Sequence, residues 1–152
     1  MIQRIQTIYL LISLIAWSML FFFPTIGFIN PADGAWRLFA KGIIAEEGGK
    51  LVLSTVPMLV LFALIQVLIL ISILLYKRRN LQLRVTLLNM LLQILSYGII
   101  ALYVFQGKNM LSATPHLLFM SAIPLLASVC SFLAFRGIRT DMLLLRALDH
   151  LR

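Results

Sequence analysis

The chain has 152 residues, of which 62% are hydrophobic, with a mean hydropathy of +1.03 and a net charge of +8. That apolar fraction excludes an ordinary water-soluble domain, where it is nearer to about one half, and the length leaves room for one domain. The basic residues sit at the ends of apolar runs with no aromatic-interleaved stripe, which excludes nucleic acid as their partner, and a lone cysteine, Cys130, excludes a disulfide framework.

The first element is the uncharged run 5–23, preceded by Arg4. About 20 apolar residues, at roughly 1.5 Å rise each, cross the roughly 30 Å hydrocarbon layer as a helix. The run is long and bulky, ends in Phe21-Phe22-Phe23-Pro24, and is followed by no small-x-small cleavage pattern. It therefore reads as a retained helix and not as a signal peptide. Tyr9 falls near its end at interfacial depth, and Trp17 lies deeper, as a packing residue.

The long loop 24–50 follows, with turn signals at 30–34 and at Glu46-Glu47-Gly48-Gly49. Between them two structures compete. An interfacial helix gathers Trp36, Phe39, Ala40 and Ile43 on one face, opposite Arg37 and Lys41. A small hairpin pairs 36–45 with 50–55 across the Glu-Glu-Gly-Gly turn, and the β-branched residues beyond that turn favour it.

Three further uncharged runs predict spans over 51–76, 85–105 and 117–135. The short connection 77–84 makes the second and third helices antiparallel neighbours, and 106–116, with Gly107 and Pro115 as breakers, joins the third to the fourth. Pro124 predicts a kink in the fourth span, and Pro57 a lesser disturbance near the start of the second. The tail 137–152 reads as a basic amphipathic helix lying on the membrane surface. Leu143, Leu144, Ala147, Leu148 and Leu151 form its apolar face, opposite Arg139, Arg146 and His150. Its alternative use is to dock on a partner or on a second copy of the chain.

Orientation follows from alternate loops. Arg4, Lys77, Arg78, Arg79, Arg84, Arg136, Arg139, Arg146 and Arg152 fall on one side, nine of the 13 Lys and Arg; Arg37, Lys41, Lys50 and Lys108 fall on the other. The predicted fold is thus all-α: a four-span up-down bundle with both termini cytoplasmic, a structured outer first loop and the cytoplasmic amphipathic tail. The nine cations are candidate contacts for anionic lipid head groups or for a partner.

No acidic or basic side chain lies within any predicted span, which argues against a proton relay or ion pump. No His-Glu-x-x-His pair, paired aspartates or Gly-x-Ser-x-Gly turn occurs, and His116, Cys130 and His150 fall at three different depths. The residues predict no catalytic site, no metal and no cofactor. Neutral polar groups remain: Gln66 in the second span, and Asn89, Gln93, Ser96 and Tyr97 as one stripe on the third. An amide in hydrocarbon is costly without a partner, so these face protein, either as packing contacts or as a polar cavity. Gln66 and Gln93 lie at nearly equal depth about Asn80, which predicts that they meet inside the bundle, directly or through one polar neighbour. Ala127, Cys130, Ser131 and Ala134 give the fourth span a close-packing seam.

Three stretches carry a resemblance: Met1-Ile2-Gln3-Arg4-Ile5-Gln6-Thr7-Ile8-Tyr9-Leu10, Tyr76-Lys77-Arg78-Arg79-Asn80-Leu81-Gln82-Leu83-Arg84, and the tail with Arg136, Arg139, Asp141, Leu144, Arg146, Asp149, Leu151 and Arg152. In these the chain resembles a family of uncharacterised four-helix integral membrane proteins of Bacteroidota, departing at Thr140, Met142 and His150, where the family is more charged. The resemblance implies four spans and a bacterial inner-membrane location, and it implies no activity.

From the residues, the leading function is a non-enzymatic membrane component acting by helix packing and a basic cytoplasmic face, alone, as a homo-oligomer or with a membrane protein partner. The rival is a small oligomeric transporter or channel using the region of Gln66, Asn89 and Gln93, and a membrane enzyme stands third.

Overall fold

The computed structural model describes residues 2–31 and 34–150, with side chains described over 5–31 and 34–144. Four helices carry the chain: α1 (Ile2–Phe22), α2 (Val56–Leu74), α3 (Arg79–Leu111) and α4 (Ile123–His150). Five strands lie between them: β1 (Ile26–Asn30), β2 (Gly34–Phe39), β3 (Gly42–Ala45), β4 (Leu51–Ser54) and β5 (Thr114–Leu117). Short 3₁₀ turns over Leu75–Lys77 and Phe119–Ala122 lead out of α2 and into α4.

Each helix buries one seam at alternating steps of four and three residues. In α1 it is Gln6, Leu10, Ser13, Trp17 and Leu20; in α2, Met58, Phe62, Ile65, Ile69 and Ser72. In α3 it is Gln82, Thr86, Asn89, Gln93, Ser96 and Ile100; in α4, Ala127, Ser131, Ala134, Ile138 and Asp141. That spacing is the signature of helices packed lengthwise, knobs into holes. α1 and α3 each pack against both α2 and α4, so the four run round the bundle in chain order.

The seam of α3 is polar while its outward face carries Leu87, Leu88, Leu91, Ile94, Leu95, Leu102 and Phe105. A helix with amides inside and leucines outside is stable where the surroundings are less polar than the core. Among the described residues, all four helices are long and apolar enough to cross a membrane.

The sheet corrects the expected all-α class. Its order is β4-β3-β2-β1-β5, with every neighbouring pair antiparallel. The expected hairpin survives as its outer half. Ile43 faces Leu53 across the turn, and Gly48 and Gly49 take positive φ there (80° and 61°), a conformation that glycine adopts without a Cβ penalty. The segment before it forms no interfacial helix. It turns at Ala40-Lys41, so that Phe39 pairs with Gly42, and β2 continues the meander to β1. β5 then joins from the α3–α4 connection, pairing Gly27 with His116.

The sheet closes one end of the bundle. Phe28, Leu38 and Ile43 are fully buried in the same core as Leu20, Met58 and Ile100. Gly107 makes that contact close. A Cβ at this position would lie 2.8 Å from Phe28 Cζ and 3.0 Å from Ile43 Cδ1, so the residue expected to break a helix instead seats the sheet on one. Thr25 and Thr55 pin the sheet to the adjoining helix ends, their hydroxyls donating to Leu38 O (3.3 Å) and Ala40 O (3.0 Å).

Three further boundaries move. The second span begins at Val56 because Leu51–Ser54 is taken into the sheet, and Pro57 occupies the first turn of α2, where the missing N–H costs nothing. Pro124 likewise stands second in α4, directly after the 3₁₀ turn Phe119–Ala122, in the first turn where its missing N–H costs nothing. α3 runs 33 residues, absorbing most of both expected connections. The tail is no separate surface helix: α4 is continuous to His150, and Ile138 and Asp141 turn into the bundle. Its other expected face residues, Ala147, Leu148, Arg146, His150 and Leu151, have side chains outside the described residues.

Candidate functional site: a polar seam and its open end

The seam residues of α3 bond to two neighbouring helices, and through α4 the network reaches α1. Gln93 Nε2 donates to Ser131 Oγ on α4 at 3.0 Å, and Ser131 lies 3.0 Å from Ser13 Oγ on α1. Ser13 in turn donates to Ala127 O at 3.2 Å. A hydroxyl has one proton, so Ser13 spends its own on Ala127 and Ser131 donates to Ser13. The chain of bonds has one direction, from α3 through α4 to α1 and back to α4.

Lower on the seam, Thr86 Oγ1 donates to Gln82 O at 2.8 Å, which leaves Ser72 as the donor in the 2.7 Å Ser72–Thr86 contact between α2 and α3. At the end opposite the sheet, Gln6 Nε2 donates to Asp141 Oδ2 at 2.7 Å. Gly137 makes room for this amide, since a Cβ there would lie 2.9 Å from Gln6 Cγ.

The expected meeting of Gln66 with Gln93 does not occur. Ile65, one residue earlier, holds the seam position, which rotates Gln66 toward α1. There its Nε2 donates to Ser18 Oγ at 2.6 Å and to Leu14 O at 3.4 Å. Ser96 satisfies itself on its own helix, donating to Gln93 O at 2.6 Å. Asn89 is fully buried and neither atom of its amide has a partner among the described residues; Gln93 Oε1, Gln66 Oε1, Trp17 Nε1 and Tyr97 OH are buried and likewise unpaired among them. The Trp17 ring packs edge-on against Phe62, centroids 5.1 Å apart.

The polar contacts missed from sequence are those beyond the expected span ends or on the other helices: Gln6, Gln82, Thr86, Asp141, Ser13 and Ser72; Ser131, expected only as a small residue of the packing seam, also accepts from Gln93. The four-three spacing continues from Asn89 back through Thr86 to Gln82, and that periodicity is the available signal.

Lys77, Arg78, Arg84, Arg136 and Arg139 are exposed near the end of the bundle away from the sheet, with Arg79 half-buried among them. The ion pair between described side chains is elsewhere, Arg37 with Glu46 on the sheet. The side chains of Arg4, Arg146 and Arg152 lie outside the described residues.

Three cavities adjoin the helices. One of about 370 Å³ opens among Gln6, Thr7, Ile8, Leu11, Tyr76, Arg79 and Gln82. A second, of about 490 Å³, runs along α3 from Tyr97 to Lys108 beneath His116, and a third, of about 380 Å³, lies between α1 and α4 beside Cys130. None of the three is lined by Asn89 or Gln93. Among the described residues no three His, Cys, Asp or Glu side chains group to hold a metal ion.

A family model described as a domain of unknown function, DUF4293, matches residues 2–151. No curated protein matches the chain.

Proposed function

We propose that this chain, which belongs to the DUF4293 family of unknown function, is an integral protein of a bacterial inner membrane that acts by binding and packing without catalysing a reaction. Its four helices span the bilayer, the sheet stands on the outer face, and both termini are cytoplasmic. The basic end of the bundle meets anionic head groups there.

The observation that carries this reading is the division of charge along the bundle. Lys77, Arg78, Arg79, Arg84, Arg136 and Arg139 gather at the end away from the sheet, and none has an ion-pair partner among the described residues. Cations left unpaired by protein are stabilised by the anionic cytoplasmic surface, each by about 1 kcal/mol. The serines and amides of the seam then fix helix register, at about 0.5–2 kcal/mol per contact. Reporter fusions test the reading: one joined after residue 152 reads out as cytoplasmic and one inserted at Gly48 as exported. Purification from native membranes identifies any homo-oligomer or membrane protein partner.

One observation favours transport as a second reading. The unpaired amide atoms of Asn89, Gln93 and Gln66 are the groups a polar path would use. Against it stands the sheet, which covers the bundle end through Phe28 and Ile43 on Gly107. Proteoliposome flux that disappears in Asn89→Leu and Gln93→Leu would favour transport over packing.

A further inference from the structure

We propose that the cavity at the start of α3 is a site for one anionic phospholipid, its phosphate held by Arg79 and Gln82 and one acyl chain lying over Ile8 and Leu11. The inference rests on the membrane reading above and gives its basic face a specific site.

Three independent features converge on this cavity. The first is the helix end. α3 starts at Arg79, the residue before it places no side chain on the free amides, and the first turn holds no acid. The unsatisfied N–H groups and the aligned peptide dipoles leave a partial positive charge at that end.

The second is a polar group without a partner. Gln82 is only 5% exposed, yet its side-chain amide makes no hydrogen bond with the described residues, and it lines the cavity. Its amide is not among the buried unpaired polar atoms, so it opens onto the cavity it lines, where a phosphate oxygen would accept from it.

The third is the charge and shape of the walls. Arg79 lines the cavity and has no ion-pair partner among the described residues, so its guanidinium is free to take a phosphate through two parallel bonds. Asp141, the acid on the helices whose side chain is described, is turned to the Gln6 amide. The opposite wall is apolar, with Ile8 and Leu11 three residues apart on α1 and the Tyr76 ring beside them. A cavity of about 370 Å³ with a cationic mouth and an apolar wall fits a phosphate joined to a chain better than a free inorganic anion.

The test uses full-length protein in neutral detergent, titrated with phosphatidylglycerol or phosphatidylcholine and read by native mass spectrometry. The expected result is a one-lipid complex with phosphatidylglycerol, about tenfold or more weakened by Arg79→Gln, the size of a charge-assisted contact. Ile8→Trp, which fills the cavity and keeps every charge, weakens it comparably. Arg139→Gln, exposed at the same end but outside the cavity, changes it by less than about twofold. Equal binding of the two lipids, an equal loss in Arg139→Gln, or no loss in Ile8→Trp would overturn the site in favour of diffuse charge. Displacement of the lipid by millimolar inorganic phosphate would overturn the lipid assignment in favour of a soluble anion. Lipid binding in detergent is independent of orientation. Inverted fusion reporters would thus sink the membrane reading alone, and lost selectivity with correct reporters would sink the site alone.

Discussion

Gln6 and Asp141, 135 residues apart in sequence, meet at 2.7 Å, with the amide of the first helix donating to the carboxylate of the last. The contact ties the two ends of the chain together at the end of the bundle away from the sheet. Both side chains are more than nine-tenths buried. Gln6→Leu leaves a buried carboxylate without its donor and lowers stability by about 1.5–3 kcal/mol. The double variant Gln6→Leu/Asp141→Leu recovers part of that loss. Thermal unfolding in detergent measures both, and strictly additive effects would show that the bond is not coupled.

The contact between sheet and bundle depends on a missing side chain. Gly107→Ala places a methyl against Phe28 and Ile43 and destabilises by about 1–3 kcal/mol, with the sheet strands becoming protease-sensitive first. Gly98, on the same helix, faces open space, and a Cβ added there would meet nothing within 4 Å. Gly98→Ala is therefore neutral, or stabilising by up to about 1 kcal/mol through helix propensity. Equal effects at the two sites would remove the packing explanation.

Asn89 and Gln93, one turn apart on the same seam, respond in opposite directions to the same replacement. Asn89 has no partner for either amide atom among the described residues, so Asn89→Leu removes an uncompensated polar group and stabilises by about 1–2 kcal/mol. Gln93 donates to Ser131, and Gln93→Leu breaks the chain of bonds from α3 to α1, destabilising by about 0.5–2 kcal/mol. A loss at Asn89 as large as at Gln93 would show that a water or ligand satisfies Asn89 and would favour the transport reading.

The four apolar helices are legible because 20-residue uncharged runs have no alternative in a chain this rich in leucine. The ends of those helices are not. Arg79 and Arg84 look like loop residues, yet α3 begins at the first of them, because a cation at the mouth of a bundle still turns its backbone into the helix. The Glu-Glu-Gly-Gly turn announces one hairpin correctly. The rest of the sheet consists of strands of four to six residues, too short for periodicity to register, and β5 pairs with β1 across more than eighty residues with no local signal. The stripe on α3 is visible at Asn89, Gln93 and Ser96, and all three face inward. Gln66 departs from expectation by a single step of rotation, because Ile65 and Gln66 sit in a helix that is apolar nearly all round. Asp141 reads from sequence as part of a surface tail. Its burial depends on Gln6, on a helix at the far end of the chain, and on the space left by Gly137, and spacing alone reveals neither.

The central claim, that the sheet and the basic end lie on opposite sides of a membrane, is tested most directly by cysteine labelling. In a Cys130→Ala background, single cysteines are introduced at Gly48, in the β3–β4 turn, and at Asn80, beside Arg78 and Arg79 at the basic end; both positions are exposed. A membrane-impermeant maleimide is applied to the outer face of the inner membrane, and again after the cells are broken open. The account predicts that position 48 labels in both conditions and position 80 only after breakage. Labelling of position 80 from outside, or of both positions from one side, would contradict it.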